Sequence, residues 1–145
     1  MKTASFALTK ILHVKKRTFI IIASVVMLLI GILRGKGGIL LLINGNQVAL
    51  DPPIMAGSLV ARCCGAGLIA VLVVFVVSAF KLLKHNSLSG WNLSWIGMVI
   101  FLLGGLLNGF LLFGNPFVQD QVINFGASAI ILLCLLAGRP AVSRT

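Results

Sequence analysis

Four long apolar stretches alternate with short polar segments along the 145-residue chain. The stretches cover residues 18–33, 58–80, 94–113 and 118–138, and charged residues, glycine and proline gather between them. A helix needs about 20 residues, within a range of about 17 to 25, to cross the hydrocarbon layer of a bilayer. The first stretch is slightly short, and lysine and arginine side chains at its ends can reach the headgroups. The pattern therefore predicts four membrane-spanning α-helices.

The composition indicates a chain that is solvated by lipid. Apolar residues make up 59% of the chain and charged residues 10%, whereas a soluble domain has about half and about a quarter. One small domain could not hide so much apolar surface from water, which excludes a soluble enzyme, a disordered tail and a disulfide-stapled secreted module. We expect an all-α integral membrane protein, with residues 1–145 forming a single four-transmembrane-helix bundle in the lipid bilayer.

The charges are unequal in both sign and position. Lysine and arginine number 12 and aspartate and glutamate 2, which gives a formal net charge of +10. Most cations lie in the two tails and between the second and third stretches, whereas the other side has Arg34, Lys36 and Arg62. Cytoplasmic segments of membrane proteins carry the excess of positive charge. We predict a multi-pass protein of the cell membrane, of the bacterial inner-membrane type, with both termini in the cytoplasm. The cations form no aromatic-interleaved face that would bind nucleic acid.

The segment 34–57, on the outer side, is the one sizeable loop in this topology. Residues 39–43 are apolar, Asn44-Gly45 is a preferred two-residue hairpin turn, and the apolar pattern partly resumes over 47–50. The sequence predicts a short β-hairpin on the outer membrane surface between helices 1 and 2. The alternative is that 39–43 forms a helical turn at the interface.

Two asparagines inside the apolar stretches share one predicted depth. Asn108 lies about 21 Å and Asn124 about 22 Å from the cytoplasmic edge, at 1.5 Å per helical residue. On the last stretch, Gln121, Asn124 and Ser128 follow helical spacing and form one polar stripe. We expect Asn108 and Asn124 to hydrogen-bond if their faces meet, either as structural contacts between helices or as part of a polar pocket that is open to the outer face.

Arg62 is predicted to lie near the outer boundary of the hydrocarbon layer. The only two acids of the chain, Asp51 and Asp120, fall on the same side. We predict that Arg62 pairs with Asp120, with Asp51 as the alternative partner. Its guanidinium could instead hold a lipid phosphate at the headgroup level.

The residues show no pattern that is typical of catalysis. Carboxylates are absent deep inside the stretches, and there is no nucleophile–base pair and no phosphate-binding glycine loop in the required context. His13 and His85 stand alone, and the three cysteines form no Cys-x-x-Cys motif. We therefore expect no enzymatic activity, no cofactor and no metal.

Small residues point to helix packing. Gly57, Ala61 and Gly65 are spaced by four, and Gly105 and Gly109 form a GxxxG pattern, which lets helix backbones approach closely within the chain or in a homo-oligomer. With the polar outer end, this predicts an accessory or partner-binding membrane subunit, with an immunity-type role in the same class. The alternative function is a small oligomeric channel or transporter for an anion or polar solute.

Overall fold

In the computed structural model, residues 2–85, 88–117 and 119–139 are described, with side chains over 16–84, 88–117 and 122–139. This part of the chain contains four α-helices and no β-strand. The helices are α1 (Lys2–Asn44), α2 (Ser58–His85), α3 (Leu88–Phe113) and α4 (Gln119–Ala137). The prediction of an all-helical chain is confirmed.

Three of the described helices are long and apolar enough to cross a membrane. Their spanning segments are Lys16–Gln47, Ser58–Lys84 and Leu88–Phe113, and the described apolar part of α4, Val122–Ala137, is shorter. Length and composition therefore identify a membrane protein.

The helices form a ring in which α1 packs against α2, α2 against α3, α3 against α4, and α4 against α1. Gly90 of α3 packs against Leu82 of α2, and Gly138, the residue after α4, packs against Ile20 of α1. These contacts gather five cations at one end of the bundle, which we call the basic end: Lys16, Arg17, Lys81, Lys84 and Arg139. The opposite end holds the connection between α1 and α2.

The predicted β-hairpin over 39–50 is wrong, because α1 continues unbroken to Asn44. Arg34 and Lys36 consequently lie within α1 and not in an outer loop. The reason is close packing of α1 on α2. A Cβ on Gly38 would lie 2.7 Å from the Gly65 carbonyl oxygen, and a Cβ on Gly65 would lie 2.6 Å from the Gly38 carbonyl oxygen. The packing of two touching backbones offsets the cost of about 1 kcal/mol that each glycine brings to a helix.

The connection from α1 to α2 covers the end of the bundle opposite the basic end. Gly45, with a positive φ of 59°, starts a short 3-10 turn after α1. Further along, the amide of Met55 donates to the carbonyl of Leu112 at 2.8 Å, which ties the connection to the end of α3. At that end Gly114 also has a positive φ, 67°, and donates to the Phe110 carbonyl at 2.9 Å. Both turns use the left-handed conformation that glycine adopts without strain.

The buried apolar side chains form two separate clusters. The larger lies towards the basic end around Phe75, whose ring meets that of Phe101 at a centroid distance of 5.4 Å. The smaller lies at the opposite end and is formed by Leu41, Ala61, Cys64 and Leu112. A cavity borders both clusters, and its polar residues are the candidate site.

Candidate functional site

Arg34 of α1 and Asn124 of α4 meet inside the bundle. The Nε and Nη2 atoms of Arg34 donate to the Oδ1 atom of Asn124 at 3.1 and 2.5 Å. Arg34 is half-buried, and Asn124 is only 6% exposed. A guanidinium presents its N–H groups as a rigid fork, so this contact fixes the charged group in one orientation against α4.

The register of α1 against α4 gives the depth of this contact. Arg34 lies 14 residues after Ile20, and Asn124 lies 14 residues before Gly138. Because Ile20 and Gly138 pack together, the backbone positions of Arg34 and Asn124 both lie about 21 Å from that contact along their helices, at 1.5 Å per residue. If a hydrocarbon layer about 30 Å thick begins at the contact, Arg34 lies about 9 Å below its outer boundary. An ionisable residue at such a depth is costly and is by default a candidate functional residue.

A cavity of about 660 Å³ surrounds this arginine in the half of the bundle away from the basic end. Small-molecule sites are typically about 300–1,000 Å³ and mostly apolar, with a few polar groups. Its polar lining includes Arg34, Asn108 and Asn124, and its walls are largely leucine, valine, phenylalanine and glycine. Exposed residues such as Leu59 and Leu107 also line it, so the cavity reaches the surface that would face lipid.

The two asparagines chosen from the sequence therefore line one cavity. Asn108 is half-buried on α3. The carboxamide oxygen of Asn124 accepts hydrogen bonds from Arg34, and the Asn108–Asn124 hydrogen bond stays a prediction. The sequence left two roles open for these asparagines, a structural contact between helices and a polar pocket. Asn124 combines them, since it joins two helices and also lines the cavity.

The rest of the predicted stripe on α4 is described only in part. Ser128 lies about one helical turn from Asn124, towards the basic end, and is 3% exposed. Its hydroxyl has no hydrogen-bond partner among the described residues. Gln121 and Asp120 belong to α4, but their side chains fall outside the described ones, and their predicted roles stay predictions.

Arg62 and Asp51 are both exposed, and these two side chains form no ion pair with each other. Neither residue lines the cavity. The structure therefore gives no support to Asp51 as the alternative partner of Arg62, while pairing with Asp120 concerns a side chain outside the described set.

Sequence reasoning missed Arg34 as a functional residue. The charges and glycines over 34–38 were interpreted as a loop, although those positions are helical. The signal that could have revealed it is the apolar run over 39–43, which restores helix-compatible hydrophobicity immediately beyond the glycines.

Further buried polar groups lie between the cavity and the basic end. The hydroxyls of Ser24 and Ser78 and the indole Nε1 of Trp95 have no hydrogen-bond partner among the described residues. The neighbouring Trp91 is different, since its Nε1 donates to the Leu135 carbonyl at 2.9 Å.

No protein-family model, no curated protein and no solved structure matches the chain. Among the described side chains, no three His, Cys, Asp or Glu residues are grouped as a metal site would require. The site is therefore interpreted from its own chemistry: one guanidinium and two carboxamides in an apolar cavity can bind a negatively charged group.

Proposed function

We propose that this chain is a non-enzymatic, multi-pass membrane protein that acts as an accessory or partner-binding subunit. In this proposal the binding site is the cavity, which lies in the half of the bundle away from the basic end. The observation that carries it is Arg34, a cation that Asn124 holds in the wall of an apolar cavity. A guanidinium at such a depth is retained against its desolvation cost when it has a specific anionic or hydrogen-bonding partner.

The proposed orientation follows from the cations at the ends of the bundle. The basic end would face the cytoplasm, with both termini there, and the membrane would be a bacterial inner membrane. Since Arg34 and Lys36 belong to the spanning part of α1, the cation described at the other end is Arg62. A reporter inserted after Leu50 should therefore read as extracytoplasmic, and a cytoplasmic reading would overturn this orientation.

Photo-crosslinking from within the membrane tests the binding role. A photoreactive amino acid replaces Leu107, which lines the cavity, or Leu103, which is on the same helix and does not line it. The two side chains are similarly exposed, at 56% and 64%, so they form a matched pair. We expect a discrete adduct from position 107 that is lost in Arg34→Gln, and only diffuse labelling from position 103.

The same experiment can contradict the proposal. Identical products from both positions, or an adduct at 107 that is unaffected by Arg34→Gln, would show that the cavity selects no partner. The adduct's mass reports whether the captured molecule is a protein, a second copy of this chain or a small molecule.

A channel or transporter for an anion or polar solute is the second candidate. It is favoured by the unpartnered buried polar groups that continue from the cavity towards the basic end. Ser128 and Ser24 lie about 15 and 6 Å from the Ile20–Gly138 contact by helical rise. Buried polar groups are normally hydrogen-bonded to protein or to internal water, so this row marks the course that a hydrated path would take.

Flux through purified protein in liposomes separates the two functions. A channel or transporter should move chloride, phosphate or potassium ions, and an anion path should be reduced by Arg34→Gln. Absence of flux for all three ions would rule out the channel or transporter function and leave the binding role.

A further inference from the structure

Arg139 and Trp91 form a contact at the basic end of the bundle. The Cζ atom of Arg139 lies 5.6 Å from the centroid of the Trp91 ring, which is the geometry of a cation–π interaction. The indole N–H of Trp91 in turn donates to the Leu135 carbonyl at 2.9 Å. Because Leu135 belongs to the last turn of α4, this bond fixes the ring against the helix that Arg139 follows. The exposed guanidinium is thereby held at a defined place.

Two lysines from other helices flank this contact. Lys81 of α2 lies beside Gly90, the residue before the tryptophan, where a Cβ would be 3.0 Å from the Lys81 Cβ. Lys16 of α1 lies beside Gly138, the residue before the arginine, where a Cβ would be 3.4 Å from the Lys16 carbonyl oxygen. Both lysines are exposed. Helices α1 and α2 and the end of α4 therefore supply one cation each around a single indole ring.

The acids of the chain lie away from these three cations. The chain contains two acids, Asp51 and Asp120. Asp51 belongs to the connection that covers the opposite end of the bundle, and Asp120 lies in the first turn of α4, 18 residues before Gly138. At 1.5 Å per residue, the backbone of Asp120 is about 27 Å from the basic end. The three cations therefore form a locally positive surface, which attracts negatively charged groups.

The surroundings of the cations favour an amphiphilic anion over a soluble one. The spanning segment of α2 ends at Lys84 and that of α3 begins at Leu88, so the cations lie at the edge of the apolar part of the bundle. Phe80 and Leu136, which lie close to the cations along the chain, are exposed and apolar. Indole rings also prefer the level of the lipid headgroups. A ligand with a negative headgroup and hydrocarbon chains can contact both kinds of surface.

We propose that the basic end binds an anionic phospholipid, with its phosphate between Arg139 and Lys81 and its acyl chains along the apolar surface of the helices. A guanidinium can hold two phosphate oxygens at once, and a lysine adds a point charge. Arg139 and Lys81 are then binding residues, and Trp91 is a positioning residue that holds the guanidinium. This site is separate from the cavity and does not depend on the proposed binding function.

Fluorescence quenching by brominated lipids tests the lipid preference at this place. The chain has two tryptophans, so Trp95→Phe leaves Trp91 as the reporter. The full-length variant is reconstituted in vesicles of dioleoyl phosphatidylcholine, and brominated phosphatidylglycerol or brominated phosphatidylcholine replaces part of the lipid. We expect phosphatidylglycerol to bind beside Trp91 about tenfold more tightly than phosphatidylcholine, because several cations near the surface act together. Native mass spectrometry of the unsubstituted chain with the same two lipids should show the same preference.

Four charge removals, each made in the reporter variant, identify the binding residues. Arg139→Gln and Lys81→Gln should each reduce the preference by about fivefold. Arg62→Gln removes an exposed arginine at the opposite end, and Lys84→Gln removes an exposed lysine almost one turn further along α2. These two controls should change the preference by less than about twofold.

Arg139→Lys separates a defined site from diffuse attraction, because it keeps the charge and removes the planar fork of the guanidinium. We expect it to reduce the preference by about threefold. A preference that is unchanged in Arg139→Lys would overturn the role of Arg139 as a two-oxygen phosphate ligand.

Three further results would overturn the proposal. Equal quenching by the two brominated lipids would mean that the basic end selects no lipid. Equal losses in the site variants and in their controls would reduce the effect to the overall positive charge of the chain. Loss of the preference in excess inorganic phosphate, at constant ionic strength, would assign the site to a soluble anion.

Discussion

Replacing Asn124 with leucine should destabilise the bundle measurably, because it removes the acceptor of two hydrogen bonds from a charged group. The leucine has a similar size, so little cavity is created, while the Arg34 guanidinium loses an acceptor at 3.1 and 2.5 Å. A hydrogen bond to a charged group contributes about 1.5–3 kcal/mol in folded proteins, and interhelical bonds in membranes average about 0.6 and reach about 1.7. We expect Asn124→Leu to lower the free energy of unfolding by about 1.5 kcal/mol, near the top of the membrane range.

The measurement is reversible unfolding in mixed detergent micelles, followed by far-ultraviolet circular dichroism. Asn108→Leu is the control, because Asn108 lines the same cavity and is half-buried on α3. Its substitution should cost less than about 0.5 kcal/mol. Arg34→Met removes the charge and retains most of the stem, so the double variant Arg34→Met/Asn124→Leu should be more stable than Asn124→Leu alone. The methionine removes the donors that Asn124→Leu deprives of this acceptor, so the second change offsets part of the cost of the first.

Two results would refute this reasoning. One is a loss in Asn124→Leu that is no larger than in Asn108→Leu. The other is strict additivity of Arg34→Met and Asn124→Leu, which would mean that the two side chains do not interact energetically.

Two further predictions concern packing. Gly65→Ala should lower the free energy of unfolding by about 1–3 kcal/mol, because its Cβ would lie 2.6 Å from the Gly38 carbonyl oxygen. Gly67→Ala is the control, since a Cβ there has nothing within 4 Å, and it should raise the free energy of unfolding by up to about 1 kcal/mol. Equal effects of the two changes in the same unfolding assay would contradict the α1–α2 contact. Trp91→Phe removes the indole hydrogen bond to the Leu135 carbonyl and should cost about 1 kcal/mol; an unchanged thermal midpoint would show that this contact contributes nothing.

The length and hydropathy of the apolar stretches were sufficient to predict the helical architecture. The second apolar stretch begins at Ser58, where α2 begins, and the third ends at Phe113, where α3 ends. These helices contain no internal charge cluster, so length and hydropathy alone define them. Composition likewise identified a membrane protein.

The end of α1 could not be predicted in the same way. Arg34 and the glycines that follow it have low local preference for a membrane helix, and Asn44-Gly45 is a strong turn signal. The helix continues because of contacts with other helices: Gly38 touches the backbone of Gly65, and Arg34 is held by Asn124. Both partners are distant in sequence, and their proximity is known only once the bundle is assembled.

The candidate site was therefore predicted from the sequence only in part. Asn108 and Asn124 were selected because amides inside apolar stretches are costly, and both line the cavity. Arg34 was not selected, since a position in a loop carries no such cost. Arg62 was chosen because it lies inside the second apolar stretch, at a predicted depth near the outer boundary of the hydrocarbon layer, yet its side chain is exposed and lies outside the cavity lining.

The most direct test of the central claim, that α1 continues past Arg34 and so places this residue inside the bundle, is a spin-label accessibility scan over residues 39–43 in liposomes. In the structure Leu41 is buried, whereas Ile39, Leu40, Leu42 and Ile43 are exposed. We predict high oxygen accessibility at those four positions and a single minimum at position 41, as a helix with about 3.6 residues per turn requires. Alternation with a period of 2, the signature of a strand, would contradict the continuous helix and return Arg34 to an outer loop.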